Sequence, residues 1–172
     1  MATALMVVDA QRNLLEGEGA VPEASRVRPA LFDLLGRARA AGAVVVHVQN
    51  DGPRGYPDEP GSAGWALVFE VHDGELLVRK SASDALGADP GLVATLRERG
   101  VDHVVVAGLQ SDYCIRATGR AGLQAGFRVT IPSGAHATFD DEAPAAELAR
   151  AVEEELAAEG AVVVPANDVT FT

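Results

Sequence analysis

The stretch His103-Val104-Val105-Val106-Ala107-Gly108-Leu109-Gln110-Ser111-Asp112-Tyr113-Cys114 decides how the chain is read. A run of apolar, mostly β-branched residues passes through a glycine turn into residues that open a helix running from near Tyr113 to Gln124, with Gly126 behind it. Val104 to Val106 has no polar alternation, so it reads as a strand buried on both faces, which is the habit of parallel sheets. Val44 to Val46, within the run Val44 to Val48, reads the same way on the N-terminal side, and Ala4 to Val8 begins the series. Shorter runs at Leu76 to Val78, Arg128 to Ile131 and Ala161 to Val164 complete six strands. Helical periodicities at about Arg26 to Ala41, Pro90 to Arg99 and Glu142 to Ala158 separate them. Strands alternating with helices predict an α/β fold, a three-layer α/β/α sandwich around a six-stranded parallel sheet. The 172 residues are expected to form one domain, 1–172.

Composition removes several classes of function. A net charge of -11 opposes binding to phosphate backbones, so nucleic acid is not an expected partner. No apolar run approaches the ~18 residues of a membrane span, so no membrane partner is expected either. Met1 leads straight into Ala4 to Val8 without a basic segment, and the single cysteine cannot form an internal disulfide. Both features make the cytoplasm the expected location.

In an open α/β sheet the ligand site lies beyond the carboxyl ends of the strands. Asp9 ends the first strand, Lys80 follows the third, and Cys114 stands just past the fourth, which places all three at one edge. Of fourteen basic residues Lys80 alone is lysine, in a chain that otherwise writes positive charge as arginine. A compact ammonium differs from a planar guanidinium in what it can approach. A lone cysteine is most often a small buried hydrophobe, but a thiol in a first helical turn is favoured as thiolate by the helix dipole and free backbone amides. Lys80 supplies a neighbouring cation. Asp9 supplies a base if burial raises its carboxyl, although a turn cap is the ordinary role for such an aspartate. The Gly/Pro-rich stretch Asn50 to Gly64, with Tyr56 inside it and Trp65 just beyond, reads as a pocket wall or subunit contact, or simply as a surface loop.

These pieces together resemble the isochorismatase-like, or cysteine hydrolase, family. The resemblance rests on Asp9-Ala10-Gln11, on Lys80-Ser81-Ala82-Ser83, on the elbow Gly108 to Cys114 and on Ile115 to Ala121 after it, and it spans almost the whole chain. It implies a catalytic triad of Asp9, Lys80 and Cys114. It also implies a cis peptide between Leu109 and Gln110, with the amides of Gln110 and Cys114 as oxyanion donors. The implied chemistry is thiolate attack on a small amide or carbamoyl substrate, a thioester acyl-enzyme, and hydrolysis without any cofactor. A homodimer or homotetramer is likewise implied.

Family members that cut the vinyl ether of isochorismate lack the cysteine, so Cys114 favours C–N cleavage over that alternative. Nicotinamidases of the family bind a metal through Asp and His residues after the second strand. The corresponding loop here has Asp51, Asp58 and Glu59 but no histidine, and no metal is expected. Gln11, Trp65 and His136 are the candidate substrate contacts. His136, which follows the fifth strand, is also a rival partner for Cys114 in a Cys-His pair, whereas His47, His72 and His103 read as structural. Two further readings stay open: a nucleotide-binding α/β module, for which G-x-G-x-x-G is missing after the first strand, and an interaction protein that keeps the fold without catalysis.

Overall fold

A computed structural model describes all 172 residues. The strands are β1 (Ala2–Val8), β2 (Val44–Asn50), β3 (Leu76–Lys80), β4 (Val101–Leu109), β5 (Arg128–Ser133), β6 (His136–Ala137) and β7 (Val162–Pro165). The helices are α1 (Arg12–Leu15), α2 (Ala24–Ala40), α3 (Ala85–Ala88), α4 (Leu92–Glu98), α5 (Arg116–Gln124) and α6 (Ala145–Glu159). A π-helical turn, Ser111–Ile115, precedes α5. Every strand pairing is parallel, in the order β3-β2-β1-β4-β5-β7. No helix is long and apolar enough to cross a membrane.

The valine runs behave as their composition demands. Successive side chains of a strand point to opposite faces, so Ala4, Met6 and Val8 of β1 join Val46, Val104 and Val106 in one core. That core is closed by Leu86, Leu96, Ile115 and Leu156 from α3, α4, the π-turn and α6. Leu5 and Val7 join Val45 and Val105 in the other, against Leu31, Leu34 and Leu35 of α2. Both faces are therefore covered, as a parallel sheet requires.

The sheet has seven strands where six are expected. The extra one, β6, is too short to show any periodicity in sequence. β5 pairs with β4 only over His103 to Val105, and the chain then turns at Gly134 (φ 87) to lay His136 and Ala137 beside Gly108 and Leu109. β1 has β2 on one side and β4 on the other, and the crossovers part there, which opens a crevice at the carboxyl ends. Gly108 makes that crevice possible. Its φ is 126, and a Cβ there would lie 2.0 Å from the carbonyl oxygen of Val8, so only glycine lets β4 approach β1 so closely just before the elbow.

Candidate active site

Four side chains converge from four strand ends. Asp9 follows β1 with a left-handed backbone (φ 50), its amide bonded to the Val48 carbonyl at 2.9 Å and its own carbonyl accepting from the Gln11 amide at 2.8 Å. Lys80 closes β3, and its side chain has no exposure. Its ammonium donates to Asp9 Oδ2 at 2.9 Å, to Asn50 Oδ1 at 3.1 Å and to Cys114 Sγ at 3.3 Å. Three donors thus meet three partners, and the ammonium is saturated. Asn50 ends β2, and its amide nitrogen donates to Asp58 Oδ2 at 2.7 Å. Asp9 Oδ1 is buried and has no partner. Cys114 is half-buried and, with Asp9, Gln11, Asn50, Asp58 and Gln110, lines a cavity of about 540 Å3.

Burial raises the Asp9 carboxyl above its ordinary value, and the neighbouring Lys80 charge only partly opposes it. Burial pulls the Lys80 ammonium down, but Asp9 and Cys114 outweigh it, and the net shift is upward. The lysine is therefore a fixed cation and not a proton donor near neutral pH. Burial, joined by the Asp9 charge, pushes the Cys114 thiol up to about 12 against the pull of Lys80. The helix start and Lys80, which the sequence offers as stabilisers of a thiolate, are thus opposed by burial and by Asp9. The first turn past the elbow is π-helical, and an anionic neighbour together with desolvation exceeds what one ammonium supplies. Burial and the Asp9 charge thus both favour the neutral thiol, and beside it stands a carboxyl with one oxygen unpartnered.

The remaining candidates separate. Leu109 is buried and its peptide bond to Gln110 is cis. Gln11 is held from both ends of its amide: Nε2 donates to the carbonyls of Asn50 and Trp65, both at 3.0 Å, and Oε1 accepts the Asn50 amide at 2.8 Å. It reaches the cavity wall but chiefly ties the loop to the end of β2. Trp65 does not line the cavity. Its indole nitrogen donates to Asp51 at 2.8 Å, and the Arg79 guanidinium lies 5.0 Å from its ring centre. His136 is not brought to Cys114. Its Nδ1 lies 2.8 Å from Ser111 Oγ and its Nε2 3.0 Å from Glu153 Oε1, and it borders a different cavity, of about 240 Å3.

Nothing gathers three or more His, Cys, Asp or Glu side chains into a metal-holding group. Asp51 is bonded to Trp65 and Arg79, and Glu59 to the Gly55 amide. His47 is bonded to Glu75 at 2.8 Å and His103 to Thr130 at 2.8 Å. Asn50 and Asp58 are the site residues that reading the sequence missed. Asn50 obeys the same strand-end rule as Asp9 and Lys80, so the signal was present. Asp58 carries no such signal, because its position depends on the path of an irregular loop.

A model of the isochorismatase domain matches residues 3–168. Streptothricin hydrolase of Streptomyces noursei is 45 % identical over 178 residues, which cover 98 % of this chain and 64 % of that protein. The chain thus spans less than two thirds of that relative's length. Ureidoacrylate amidohydrolase of Stutzerimonas stutzeri is 28 % identical over 185 residues, 85 % of this chain and 74 % of the relative. Among solved structures, an isochorismatase from Pseudomonas putida superposes with a TM-score of 0.90 at 25 % identity, over 98 % of this chain and 90 % of that one.

Proposed function

Because the chain belongs to the isochorismatase family of hydrolases, we propose that it hydrolyses an amide-type C–N bond of a small molecule, with Cys114 as nucleophile, Asp9 as base and acid, and Lys80 as the fixed cation between them. The observation that carries this reading is the Lys80 ammonium, bonded at once to Asp9 and to Cys114 at the wall of the cavity.

Each step follows from the charges at rest. As Cys114 Sγ forms its bond to the substrate carbonyl carbon, the thiol proton passes to Asp9, whose raised carboxyl makes it a better acceptor than an ordinary aspartate. Lys80 stabilises the sulfur as it gains negative character and cannot itself lose a proton. The oxyanion is received by the amides of Gln110 and Cys114. Collapse breaks the C–N bond, the leaving amine takes the proton from Asp9, and an acyl thioester remains. Water then gives its proton to Asp9 and its oxygen to the acyl carbon, and the returning proton restores the thiol.

The names of the relatives, a streptothricin hydrolase and an amidohydrolase, support C–N cleavage and make streptothricin the first substrate to try. The test is mass spectrometry of streptothricin incubated with the protein and with Cys114→Ser. Hydrolysis products whose masses sum to that of the substrate plus one water, or a single product heavier by one water where the cleaved bond lies in a ring, are expected from the parent chain and at least about a thousandfold more slowly from the variant. Undiminished turnover by Cys114→Ser overturns the mechanism.

A further inference from the structure

The wall of the Cys114 cavity carries charge of one sign. Asp9, Glu16 and Asp58 contribute to it, and no lysine or arginine does. Lys80 lies behind the wall, and its charge is spent on Asp9. Glu16 is answered from outside by Arg12 at 2.8 Å and Arg28 at 3.2 Å. Asp58 is different. Its Oδ2 accepts from a neutral amide, Asn50, and it takes part in no ion pair. Tyr56, 60 % exposed, lines the same cavity two residues earlier and offers an aromatic surface. Deeper in the same cavity Asp9, 2 % exposed, lines the wall with Oδ1 unpartnered.

We propose that the cavity selects a substrate bearing a protonated amine, which Asp58 receives beside Tyr56 while the scissile carbonyl lies at Cys114. The inference rests on the hydrolase reading for the carbonyl but not for the ammonium. An ammonium gains from an unpaired carboxylate and from an aromatic surface, whereas a carboxylate or phosphate ligand meets the unpaired Asp58 and no free cation. The same field bears on turnover. Hydrolysis of an amide leaves a carboxylate product in the same cavity as the unpaired Asp58, and repulsion favours its departure. Asp58 is thus a specificity-determining residue, distinct from the groups that move protons.

Cys114 is the only thiol, so labelling it with reagents of matched size and different charge reads the field directly and needs no turnover. The probes are trimethylammonioethyl, ethyl and sulfonatoethyl methanethiosulfonate at pH 9, where the quaternary cation and the sulfonate keep their charges, each rate divided by that of a small free thiol to cancel intrinsic reactivity. In the native chain at low salt the cationic reagent is expected to outrun the anionic one roughly tenfold, with the advantage shrinking as salt is added. Asp58→Asn is expected to cut that ratio about threefold, and Glu16→Gln by less, since its charge is already answered. The neutral reagent serves as the reference for each variant, so a fold or access defect, which slows all three probes together, leaves the ratio readable. Equal rates for cation and anion, or a ratio that Asp58→Asn does not move, overturns the proposal. If charge selectivity is found while amine-bearing amides are not hydrolysed, the ammonium site stands and the hydrolase reading falls instead.

Discussion

Two buried relays meet the turn after β4, and on paper they look alike. In one, Asp9, Lys80 and Cys114 are joined at 2.9 and 3.3 Å; in the other, Glu153, His136 and Ser111 are joined at 3.0 and 2.8 Å. Each offers a carboxylate, a nitrogen cation or base, and a potential nucleophile, and the second has the composition of a hydrolase triad. The difference lies in access and in spare valence. Cys114 is half-buried and lines the large cavity, whereas Ser111 is fully buried and is absent from the walls of both cavities that flank it. His136 has both ring nitrogens engaged by Ser111 and Glu153 and does not reach the cavity wall at Cys114, while Asp9 lines that wall and keeps one oxygen free. Company does not make a nucleophile. An open path and an unfilled acceptor do, so we read the second relay as the brace that holds the elbow between β6 and α6.

Replacement of the two nucleophile-like atoms separates the relays most widely. Cys114→Ser is expected to lower kcat/KM by at least about a thousandfold, and Ser111→Ala by roughly tenfold or less. A reversed order in steady-state kinetics would move the active centre to His136.

Loss of the central nitrogen group gives the next largest effect. Lys80→Ala leaves Asp9 as an uncompensated buried charge and is expected to cost about 3 kcal/mol or more in urea unfolding, along with roughly a hundredfold in kcat/KM. Glu153→Gln keeps a hydrogen-bonding side chain near His136 and is expected to cost about 1 kcal/mol. Equal losses would mean that the Lys80 pair is not truly shielded from water.

The resting thiol gives a sharper test. Iodoacetamide labelling of native Cys114 is expected to titrate well above a free cysteine, because burial and Asp9 both raise the thiol. Asp9→Asn removes the negative neighbour and moves the titration down, and Lys80→Ala moves it up. Absence of any response to Asp9→Asn would contradict the proton path from thiol to carboxylate.

The smallest expected effect is in pH dependence, where the relays fail at opposite ends. Although burial raises Glu153, hydrogen bonds from His136 and Ser133 outweigh it and hold the carboxyl low. A lowered carboxyl stabilises the fold above its ordinary value, near 4.5, and that contribution is lost as pH falls through the lowered one. Lys80 is raised, so its contribution is complete below 10.5 and is lost as pH rises through the higher folded value. Thermal unfolding across pH should show the Glu153→Gln variant losing the acid-side slope alone. Activity carries a separate acid limb, since Asp9 must be ionised and its carboxyl lies above the ordinary 3.8.

Much of this is legible in the sequence. Apolar runs at Val44 to Val46 and Val104 to Val106 have no polar face, and only a sheet covered on both sides can bury them. Such a sheet brings its strand ends to one edge, and Asp9, Lys80 and Cys114 stand there because each closes or follows a strand. The two-residue β6 was illegible for want of any period, and with it went the true partners of His136. Trp65 and Asp58 sit on a loop without regular structure, where sequence order says little about direction: the indole turned to Asp51, and Asp58 turned to the cavity.

What the sequence by itself determined was the sheet, its covered faces and the edge where three reactive side chains meet, because these follow from local periodicity and from where polar residues interrupt apolar runs. Only the tertiary structure decided that Asn50 and Asp58 extend the Lys80 network, that His136 meets Ser111, and that burial and Asp9 raise the Cys114 thiol. Those outcomes depend on desolvation and on contacts between segments far apart in the chain, and neither quantity is a property of any short stretch of residues.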